Sequence, residues 1–361
     1  MTARDIVVIG ASAGGIQPLI ELIQSLPEDF SGYIFIVVHI PPHSPSQLPE
    51  ILTCSGSLKA VHPKDGEKLK QGMIYIAPPD HHLLLEHDHA VVRKGPKENR
   101  FRPSIDALFR SAAYEFGPRV IGVVLSGLLN DGTSGLWSVK RMNGIAIIQD
   151  PNDADHDSMP VSVLEYVDVD YSVPKEEIGP LIVGLMKEKI SKKAAISKSE
   201  KKLLQMEVKI ALEDNAFEKG ILDMGELTTF TCPECHGALV RLLEGKIIRF
   251  RCHTGHAYTA SALLSGITES VENTLWETMR GMEEAILLLN KMAEQFTKAG
   301  QLSDAELFKK KADMTAEKAR IIHESVFSQE LLSEDKIVKK PENIKKSKHK
   351  KHKQNNKSDR A

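Results

Sequence analysis

The sequence predicts an α/β protein with a doubly wound, mostly parallel sheet in its first half. Four continuous apolar and largely β-branched runs are typical of strands that are covered on both faces. They are residues 5–9, 33–38, 120–125 and 144–148. Between these runs, Ile16 to Leu26 and Ser104 to Phe116 carry apolar residues at helical spacing. Strands and helices that alternate in this way favour a parallel sheet with helices on both faces.

The rest of the chain predicts smaller units. Residues 59–92, which include His82–Glu86, are typical of short strands and a hairpin. After Pro180 the composition becomes rich in Lys, Glu and Leu, and from Ser261 to about Leu332 it is helical with a break near Ala299–Gly300. We therefore expect five segments: an α/β domain at 1–183, a helical linker at 184–226, a compact module at 227–260, a helical hairpin at 261–334 and a basic disordered tail at 335–361.

The composition is that of a globular protein with a basic end. Apolar residues make up 41% and charged residues 27% of the 361 residues, which is ordinary for a soluble chain. Residues 336–361 hold eleven Lys or Arg and two acidic residues, within a net charge of −2 for the whole chain. We expect a solvated tail, and weak contact with nucleic acid, anionic lipid or an acidic protein is the alternative. Because no aromatic residue is interleaved with these charges, sequence-specific nucleic-acid binding is not expected.

The sequence also bears on where the protein works. No apolar run approaches the roughly 20 residues that cross a bilayer, so we do not expect a membrane-inserted protein. Met1 leads straight into a strand pattern without a cleavable signal, which predicts a cytoplasmic location. Three of the four cysteines cluster at metal-ligand spacing instead of forming a disulfide framework, and this fits a reducing compartment.

A turn of small residues follows the first predicted strand. Gly10-Ala-Ser12-Ala-Gly14-Gly15 fits G-x-S-x-G, in which a sharp strand-to-helix turn lifts the serine hydroxyl above the carboxyl edge of the sheet. The helix that follows would offer N–H groups to a developing oxyanion. A phosphate cradle and a purely structural turn are the alternatives, although G-x-G-x-x-G and a P-loop lysine are both absent. The turn by itself leaves the three interpretations open.

Two further polar residues stand at predicted strand ends. His39 ends the second strand, where it can take the proton of Ser12 and return it to a leaving group. Asp131 follows the third strand, where a carboxylate can hold the imidazole in one tautomer. Taken alone, each residue is also common in loops: His39 as a hydrogen-bonded loop histidine, and Asp131 as part of the common turn Asn-Asp-Gly at 130–132. Three such residues at one sheet edge favour a serine nucleophile with its base.

Six motifs occur in order over residues 5 to 183, about half of the chain. They are Gly10-Ala-Ser-Ala-Gly-Gly15, Val38-His39-Ile-Pro41, Ile76-Ala-Pro-Pro-Asp80, Arg102-Pro-Ser-Ile-Asp106, Leu125-Ser-Gly-Leu-Leu-Asn-Asp-Gly132 and Gln149-Asp-Pro151 with Met159-Pro160. Together they resemble the catalytic domain of the bacterial chemotaxis protein-glutamate methylesterases. That family hydrolyses γ-glutamyl methyl esters on chemoreceptor helices and releases methanol, some members also deamidate glutamine, and the resemblance implies no cofactor for catalysis.

The resemblance implies roles for four residues. Ser12 would be the nucleophile, His39 the general base and acid, and Asp131 the orienting carboxylate. Arg102 resembles a substrate-side arginine, and pairing with acidic neighbours is the alternative.

The sequence departs from the family pattern in three places. Gly127-Leu128-Leu129 stands where Gly-Met-Gly is common, which bears on the oxyanion side of the site. Ala13 replaces a threonine that often follows the serine. Because the resemblance begins at residue 5, we expect no receiver domain before it, and the target need not be a chemoreceptor.

A second constellation predicts a zinc-ribbon-like module. Cys232 and Cys235 form a C-x-x-C turn, and Cys252 follows at a separation that closes a tetrahedral site across a short hairpin. His256 is the expected fourth ligand, and His253 is the alternative. A site with four protein ligands has no open position, so we expect structural Zn²⁺, with iron or a metal-free set of thiols as alternatives. The segment resembles a C-terminal extension found beside some of these esterases.

The function that these observations favour is a serine esterase that removes methyl esters from glutamates of a chemoreceptor-like protein. A non-catalytic signalling adaptor that binds receptor helices is the alternative from another class, and nucleotide binding at the Gly-rich turn is a third. The helices after residue 261 have apolar residues at three-and-four spacing, typical of a packed hairpin. A surface for signalling partners is the functional version of that pattern.

Overall fold

The computed structural model of the chain describes residues 3–190, 196–212, 220–221 and 225–328. The predicted basic tail at 335–361 lies outside these residues. Within the described part, no helix is long and apolar enough to cross a membrane.

The secondary structure of the described residues follows the predicted alternation in the first half. The strands are β1 (Ile6–Ala11), β2 (Tyr33–Val38), β3 (Lys59–Val61), β4 (Glu67–Lys68), β5 (Met73–Ile76), β6 (His82–Glu86), β7 (His89–Arg93), β8 (Val120–Val124), β9 (Ile145–Gln149), β10 (Tyr171–Val173), β11 (Glu226–Thr231), β12 (Ala238–Glu244), β13 (Ile247–Cys252) and β14 (Ala257–Thr259). The helices are α1 (Ile16–Gln24), α2 (Leu48–Ser55), α3 (Ile105–Phe116), α4 (Thr133–Arg141), α5 (Ser158–Tyr166), α6 (Lys175–Met186), α7 (Lys198–Leu212), α8 (Ala260–Lys298) and α9 (Leu302–Ser328).

Seven parallel strands form the main sheet, in the order β10-β9-β8-β1-β2-β5-β3. The chain winds outward from β1 in both directions, so the predicted α/β fold class is confirmed. Within the stretch predicted as short strands, β3 and β5 join the main sheet at its edge beyond β2. The strands β6 and β7 form the predicted antiparallel hairpin, with β4 on the edge of β7.

Alternate residues of the central strands face two separate cores. Val8 of β1 lies in the core beneath α3, α4 and α5, whereas Val7 and Ile9 lie in the core beneath α1, α2 and α6. All three side chains are fully buried. A strand that is covered on both faces has no polar side, which explains the continuous apolar runs in the sequence.

The segment predicted as a linker contains a packed helix. On α7, Leu204, Val208 and Ala211 are buried. Glu207 on the same helix is also buried, among arginines from α3 and β13. The helix therefore connects the α/β domain and the strands after residue 225 through side-chain contacts as well as through the chain.

A buried ion cluster joins these elements. It consists of three carboxylates and three arginines, all 4% exposed or less: Glu98, Glu207, Glu244, Arg110, Arg249 and Arg251. Arg251 Nη2 lies 2.9 Å from Glu98 Oε1, and Arg249 Nη2 lies 3.0 Å from Glu207 Oε2. Burial alone would raise the pKa of Glu207, but the arginines lower it to about 2. The stabilisation from this carboxylate is thus present above its ordinary pKa near 4.5 and is lost as the pH falls towards 2.

We define residues 225–328 as the C-terminal module. Its four strands form an antiparallel sheet in the order β11-β12-β13-β14, and α8 begins directly after β14. The two long helices turn at Ala299–Gly300, as the sequence predicts, and pack through a stack of Phe296 on Phe308 with ring centroids 5.2 Å apart. Thr259 caps α8, because its side chain accepts a hydrogen bond from Ala262 N.

The ion cluster predicts that two arginines of the β12–β13 hairpin contribute very differently to the free energy of unfolding. Arg251→Met leaves Glu98 and Glu207 buried with fewer partners, so we expect a loss of about 3–5 kcal/mol in the free energy of unfolding. Arg241→Met is the matched control, since Arg241 pairs with Glu226 at the surface and should cost at most about 1 kcal/mol. Urea unfolding followed by circular dichroism measures both. Equal losses would contradict a stabilising role for the cluster.

Candidate active site

The three residues singled out at strand ends meet at one edge of the main sheet. Ser12 follows β1, His39 follows β2 and Asp131 lies in the loop between β8 and α4. Because β2 and β8 are the two neighbours of β1, this is the point at which the winding of the sheet reverses. Ligand sites of open α/β sheets lie outside the carboxyl ends of strands at such a point.

The three side chains form a hydrogen-bonded line. His39 Nδ1 lies 3.1 Å from Ser12 Oγ, and His39 Nε2 lies 2.9 Å from Asp131 Oδ2. An ionised carboxylate can only accept, so Nε2 carries the proton and Nδ1 accepts from the serine hydroxyl. The side chain of His39 is 5% exposed and that of Asp131 is fully buried. The arrangement is one in which a serine can transfer its proton to an imidazole.

Asp131 is held by donors from three segments. Its Oδ1 accepts from Asn99 Nδ2 and Ser104 Oγ, each at 2.9 Å, and its Oδ2 accepts from Ile105 N at 2.7 Å as well as from His39. Burial alone would raise the pKa of Asp131, but the hydrogen bonds with His39, Asn99 and Ile105 outweigh it and lower that pKa. The carboxylate is therefore ionised opposite the imidazole.

Two glycines make possible the turn at residues 10–15, which we call the serine turn. Gly14 has φ +70°, and a Cβ there would lie 2.7 Å from Asp155 Cβ. At Gly127 a Cβ would lie 2.9 Å from Ser12 Cβ and 2.0 Å from the sulfur of Met159. Ser12 N donates to Ser126 O at 3.0 Å, which ties the turn to the end of β8. Close backbone approach thus explains the small residues around the serine.

Sequence reasoning missed the turn that covers the histidine. Glu98 and Phe101 exchange backbone hydrogen bonds, and Asn99 and Arg100 between them both have positive φ, at 49° and 75°. The ring of Phe101 stacks on His39, with centroids 3.6 Å apart and planes 7° apart. We call residues 98–101 the 98–101 turn. No spacing in the sequence marks it, because its partners come from distant segments.

Asp106 is a second buried carboxylate beside the first. Its Oδ1 accepts from Gly132 N and Gly135 N, and its Oδ2 accepts from Asn99 Nδ2 at 2.9 Å. Burial first, and then the negative charge of Asp131, raise the pKa of Asp106 to about 7. The two neighbouring carboxyl groups therefore have opposite shifts. Asp106 is the last residue of one of the six motifs in the sequence, but no spacing marks it as a partner of Asp131.

Arg102 lies near this edge in an ion pair. Its Nε and Nη2 donate to Asp80 Oδ1 at 2.8 and 2.6 Å, and its Nη1 donates to Gly95 O at 2.8 Å. Lys94 also pairs with Asp80. These contacts match the pairing with acidic neighbours that was the alternative for Arg102, and its role towards a substrate stays a prediction.

The predicted metal ligands come together in the C-terminal module. One donor atom from each of Cys232, Cys235, Cys252 and His256 lies within 4.8 Å of all the others. The sulfurs of Cys235 and Cys252 are 3.6 Å apart, and His256 Nδ1 is 3.6 Å from the sulfur of Cys252. A tetrahedral Zn²⁺ with ordinary bond lengths requires about 3.8 Å between sulfurs and about 3.6 Å from sulfur to nitrogen. The donor set therefore fits zinc, whereas His253 is exposed and lies over Gly237.

Hydroxyl groups surround this donor set. Thr254 Oγ1 lies 3.1 Å from Cys235 Sγ and 3.0 Å from Cys252 Sγ. Tyr258 Oη lies 3.2 Å from Cys232 Sγ. Such outer contacts orient metal ligands and stabilise thiolates.

A cleft of about 650 Å³ lies between the α/β domain and the C-terminal module. One wall comes from the loop that leads to Asp131 and from α5, and the other from residues 246–248 and 259–261. Leu128, Tyr166 and Ile248 expose about two fifths of their surface there. The same loop contains Gly127, which contacts Ser12, so the cleft begins beside the serine turn.

Known proteins share the first half of this chain. A family model described as CheB methylesterase matches residues 7–182. A putative protein-glutamate methylesterase/protein-glutamine glutaminase of Leptospira interrogans is 38% identical over 182 residues, which are 50% of this chain and 94% of that protein. The protein-glutamate methylesterase/protein-glutamine glutaminase of Thermotoga maritima is 36% identical over 50% of this chain and 54% of its own length. The crystal structure of the Thermotoga maritima CheB methylesterase catalytic domain matches 51% of this chain and 100% of that domain, with 34% identity and a TM-score of 0.49.

A serine, a histidine and a buried carboxylate in line at a sheet edge are the arrangement that serine hydrolases use. The near-complete coverage of the Leptospira relative at this identity assigns the family. The chain belongs to the CheB methylesterase family.

The raised pKa of Asp106 predicts a pH dependence of stability. Its stabilisation is full below the ordinary pKa near 3.8 and is lost as the pH rises towards 7. Asp106→Asn cannot ionise, so we expect the variant to gain about 2–3 kcal/mol relative to wild type between pH 5 and pH 8. Urea unfolding at the two pH values measures this difference. The control is Asp29→Asn, at an exposed carboxylate, for which the stability difference from wild type should be the same at the two pH values. An equal difference at both pH values for Asp106→Asn would refute the raised pKa of Asp106.

Proposed function

We propose that this chain is a serine esterase that removes methyl esters from glutamate side chains of a chemoreceptor-like protein. The observation that carries the proposal is the hydrogen-bonded line of Ser12, His39 and Asp131 at the winding reversal of the sheet. Family membership and the names of the relatives support the choice of ester. The same names support a second substrate, the side-chain amide of glutamine.

His39 Nδ1 would receive and return one proton in each of the two stages of the reaction. His39 Nδ1 takes the proton of Ser12 Oγ as this oxygen forms a bond to the ester carbonyl carbon. Methoxide leaves with that proton as methanol, and a glutamyl ester of Ser12 remains. Water then attacks the acyl carbon, one of its protons passes to Nδ1 and on to Ser12 Oγ, and the glutamic acid side chain that is released loses the other proton to solvent. With glutamine, ammonia would leave in place of methanol.

Asp131 would act through the imidazole. Its Oδ2 accepts from His39 Nε2, which keeps Nδ1 free of a proton before the attack and stabilises the imidazolium afterwards. The N–H groups at the start of α1 would receive the negative charge of the tetrahedral intermediate. Leu128 and Leu129 shape the other side of this position. We also propose that Arg102, which pairs with Asp80 near this edge of the sheet, assists substrate binding.

The substrate and partners are proposed from chemistry. A methylated glutamate lies on a protein surface, and the cleft beside the serine turn is lined by apolar side chains, such as Leu128 and Ile248, together with polar ones, which suits an amphipathic helix. The helices α8 and α9 expose Leu287, Leu288 and Met314, which supports a surface for signalling partners. We further propose a cytoplasmic location, which the free cysteines support, and domain limits at 1–183, 184–226, 227–260 and 261–334.

The metal is proposed to be zinc with a structural role. Cys232, Cys235, Cys252 and His256 would fill all four positions, so the ion would link the turn at 232–235 to the turn at 252–256 and supply no open site. No step of the ester hydrolysis requires it. Its expected contribution is to the stability of the C-terminal module.

Methanol release tests the esterase directly. With methylated chemoreceptor membranes as substrate, we expect Ser12→Ala and His39→Ala to lower methanol release at least about 10³-fold, because each removes a group that acts as a unit with the other. Ser44→Ala and His43→Ala are exposed matched controls and should retain full release. If wild type releases no methanol and a serine-directed phosphonate does not label it, the chain is an adaptor that binds receptor helices.

Metal content tests the zinc site. We expect about one zinc ion per chain by mass spectrometry, and weaker binding by more than about tenfold in Cys235→Ser and His256→Ala, because each removes a ligand. Cys54→Ser and His253→Ala are the matched controls and should retain the ion. Equal loss in His253→Ala and His256→Ala would contradict the assignment of the fourth ligand.

A further inference from the structure

The C-terminal module contacts the loops on both sides of Asp131. Thr259 N donates to Asn99 Oδ1 at 2.9 Å, and Thr259 Oγ1 donates to Asn130 Oδ1 at 2.8 Å. Asn130 also donates to Ser261. Thr259 therefore bonds both to Asn99, which donates to Asp131, and to Asn130, which directly precedes Asp131 in the chain.

Asn99 has every polar group of its side chain engaged. Its Nδ2 donates to Asp131 Oδ1 and to Asp106 Oδ2, each at 2.9 Å, and its Oδ1 accepts from Thr259 N. Its backbone N donates to Ala257 O at 2.7 Å. The residue is 2% exposed, so no solvent can replace these partners. Asn99 thus bridges the carboxylate that faces His39 and the end of β14.

The 98–101 turn depends on the module for its conformation. Asn99 and Arg100 are consecutive non-glycine residues with positive φ, which side chains rarely adopt without support. Arg100 Nη1 donates to Ser265 Oγ at 2.5 Å, and Arg100 also pairs with Glu269, both on α8. Glu98 lies in the buried ion cluster with Arg251 of β13. Each residue before Phe101 in this turn therefore has a partner in the C-terminal module.

The opposite side of the turn contacts the hydrogen-bonded line. Phe101 stacks on His39 over nearly parallel planes, and Asn99 donates to Asp131. We propose that the C-terminal module positions His39 and Asp131 through the 98–101 turn, with Asn99 and Thr259 as positioning residues of the esterase. The effect that we expect on kcat rests on the proposed esterase function. The module is then part of the active site and not only a surface for partners.

Two substitutions test the positioning. Asn99→Gly removes both donors and suits the positive φ, so the chain should fold while kcat for a small activated ester, p-nitrophenyl acetate, falls about 10- to 100-fold with KM unchanged. Thr259→Val keeps the backbone N–H that donates to Asn99 but removes the hydroxyl that donates to Asn130 and caps α8, so it should lower kcat about 3- to 10-fold through the loop that carries Asp131. Thr259→Ser, which retains the hydroxyl, should restore kcat to within about twofold. A readout independent of turnover is the deshielded proton of His39 Nε2–H in the ¹H NMR spectrum, which should shift or broaden in Asn99→Gly.

Matched controls come from the same chain. Asn143→Gly makes the same change at another residue with positive φ, and Thr268→Val makes the same change further along α8. Both should keep kcat and the NMR signal within about twofold of wild type. Unchanged kcat and an unchanged proton signal in Asn99→Gly would overturn the proposal, as would equal losses in the controls. If wild type hydrolyses no ester, the proposed function fails, and the proton signal alone then decides whether Asn99 positions His39.

Discussion

A fully buried, ionised carboxylate sets the strongest constraint on this protein. Asp131 has left water entirely, and an isolated charge in that position would cost several kcal/mol. Donors from Asn99, Ser104 and the first turn of α3 offset that cost, together with the N–H of His39. The loops that supply these donors must therefore hold their conformation, and much of the surrounding structure serves that purpose.

Asp106, a second buried carboxyl group, shows that the pKa of each group depends on its immediate surroundings. Asp106 lies next to Asp131 and shares the donor Asn99 with it, yet its pKa is raised to about 7 while that of Asp131 is lowered. Two like charges at this separation in a buried site oppose each other, so one group retains its proton more readily. The group that faces the imidazole is the one with the lower pKa, as the proposed proton transfer from Ser12 requires.

The C-terminal module extends this network beyond the family domain. The ion cluster around Glu98, the contacts of Arg100 with α8 and the hydrogen bonds of Thr259 all converge on the turn that carries Phe101 over His39. The family match ends at residue 182, so these contacts come from a part of the chain that the family model does not cover. Buried charges are costly unless they are paired, which implies that the module and the α/β domain form their contacts together.

The sequence by itself determined the parallel sheet, the three strand-end residues and the cysteine cluster, because each depends on local pattern or short spacing. Alternating apolar runs define strands and helices, and the carboxyl ends of parallel strands share one edge. Only the tertiary structure decided that α7 packs against both of the parts that it connects, that β3 and β5 join the main sheet, and that Asn99, Phe101 and Asp106 surround the site. Those roles depend on partners more than 25 residues away, such as Thr259 for Asn99, and no local periodicity records which distant donor meets a buried acceptor. The sequence already favoured His256 as the fourth ligand, with His253 as the alternative, and the fold places His256 with the three sulfurs.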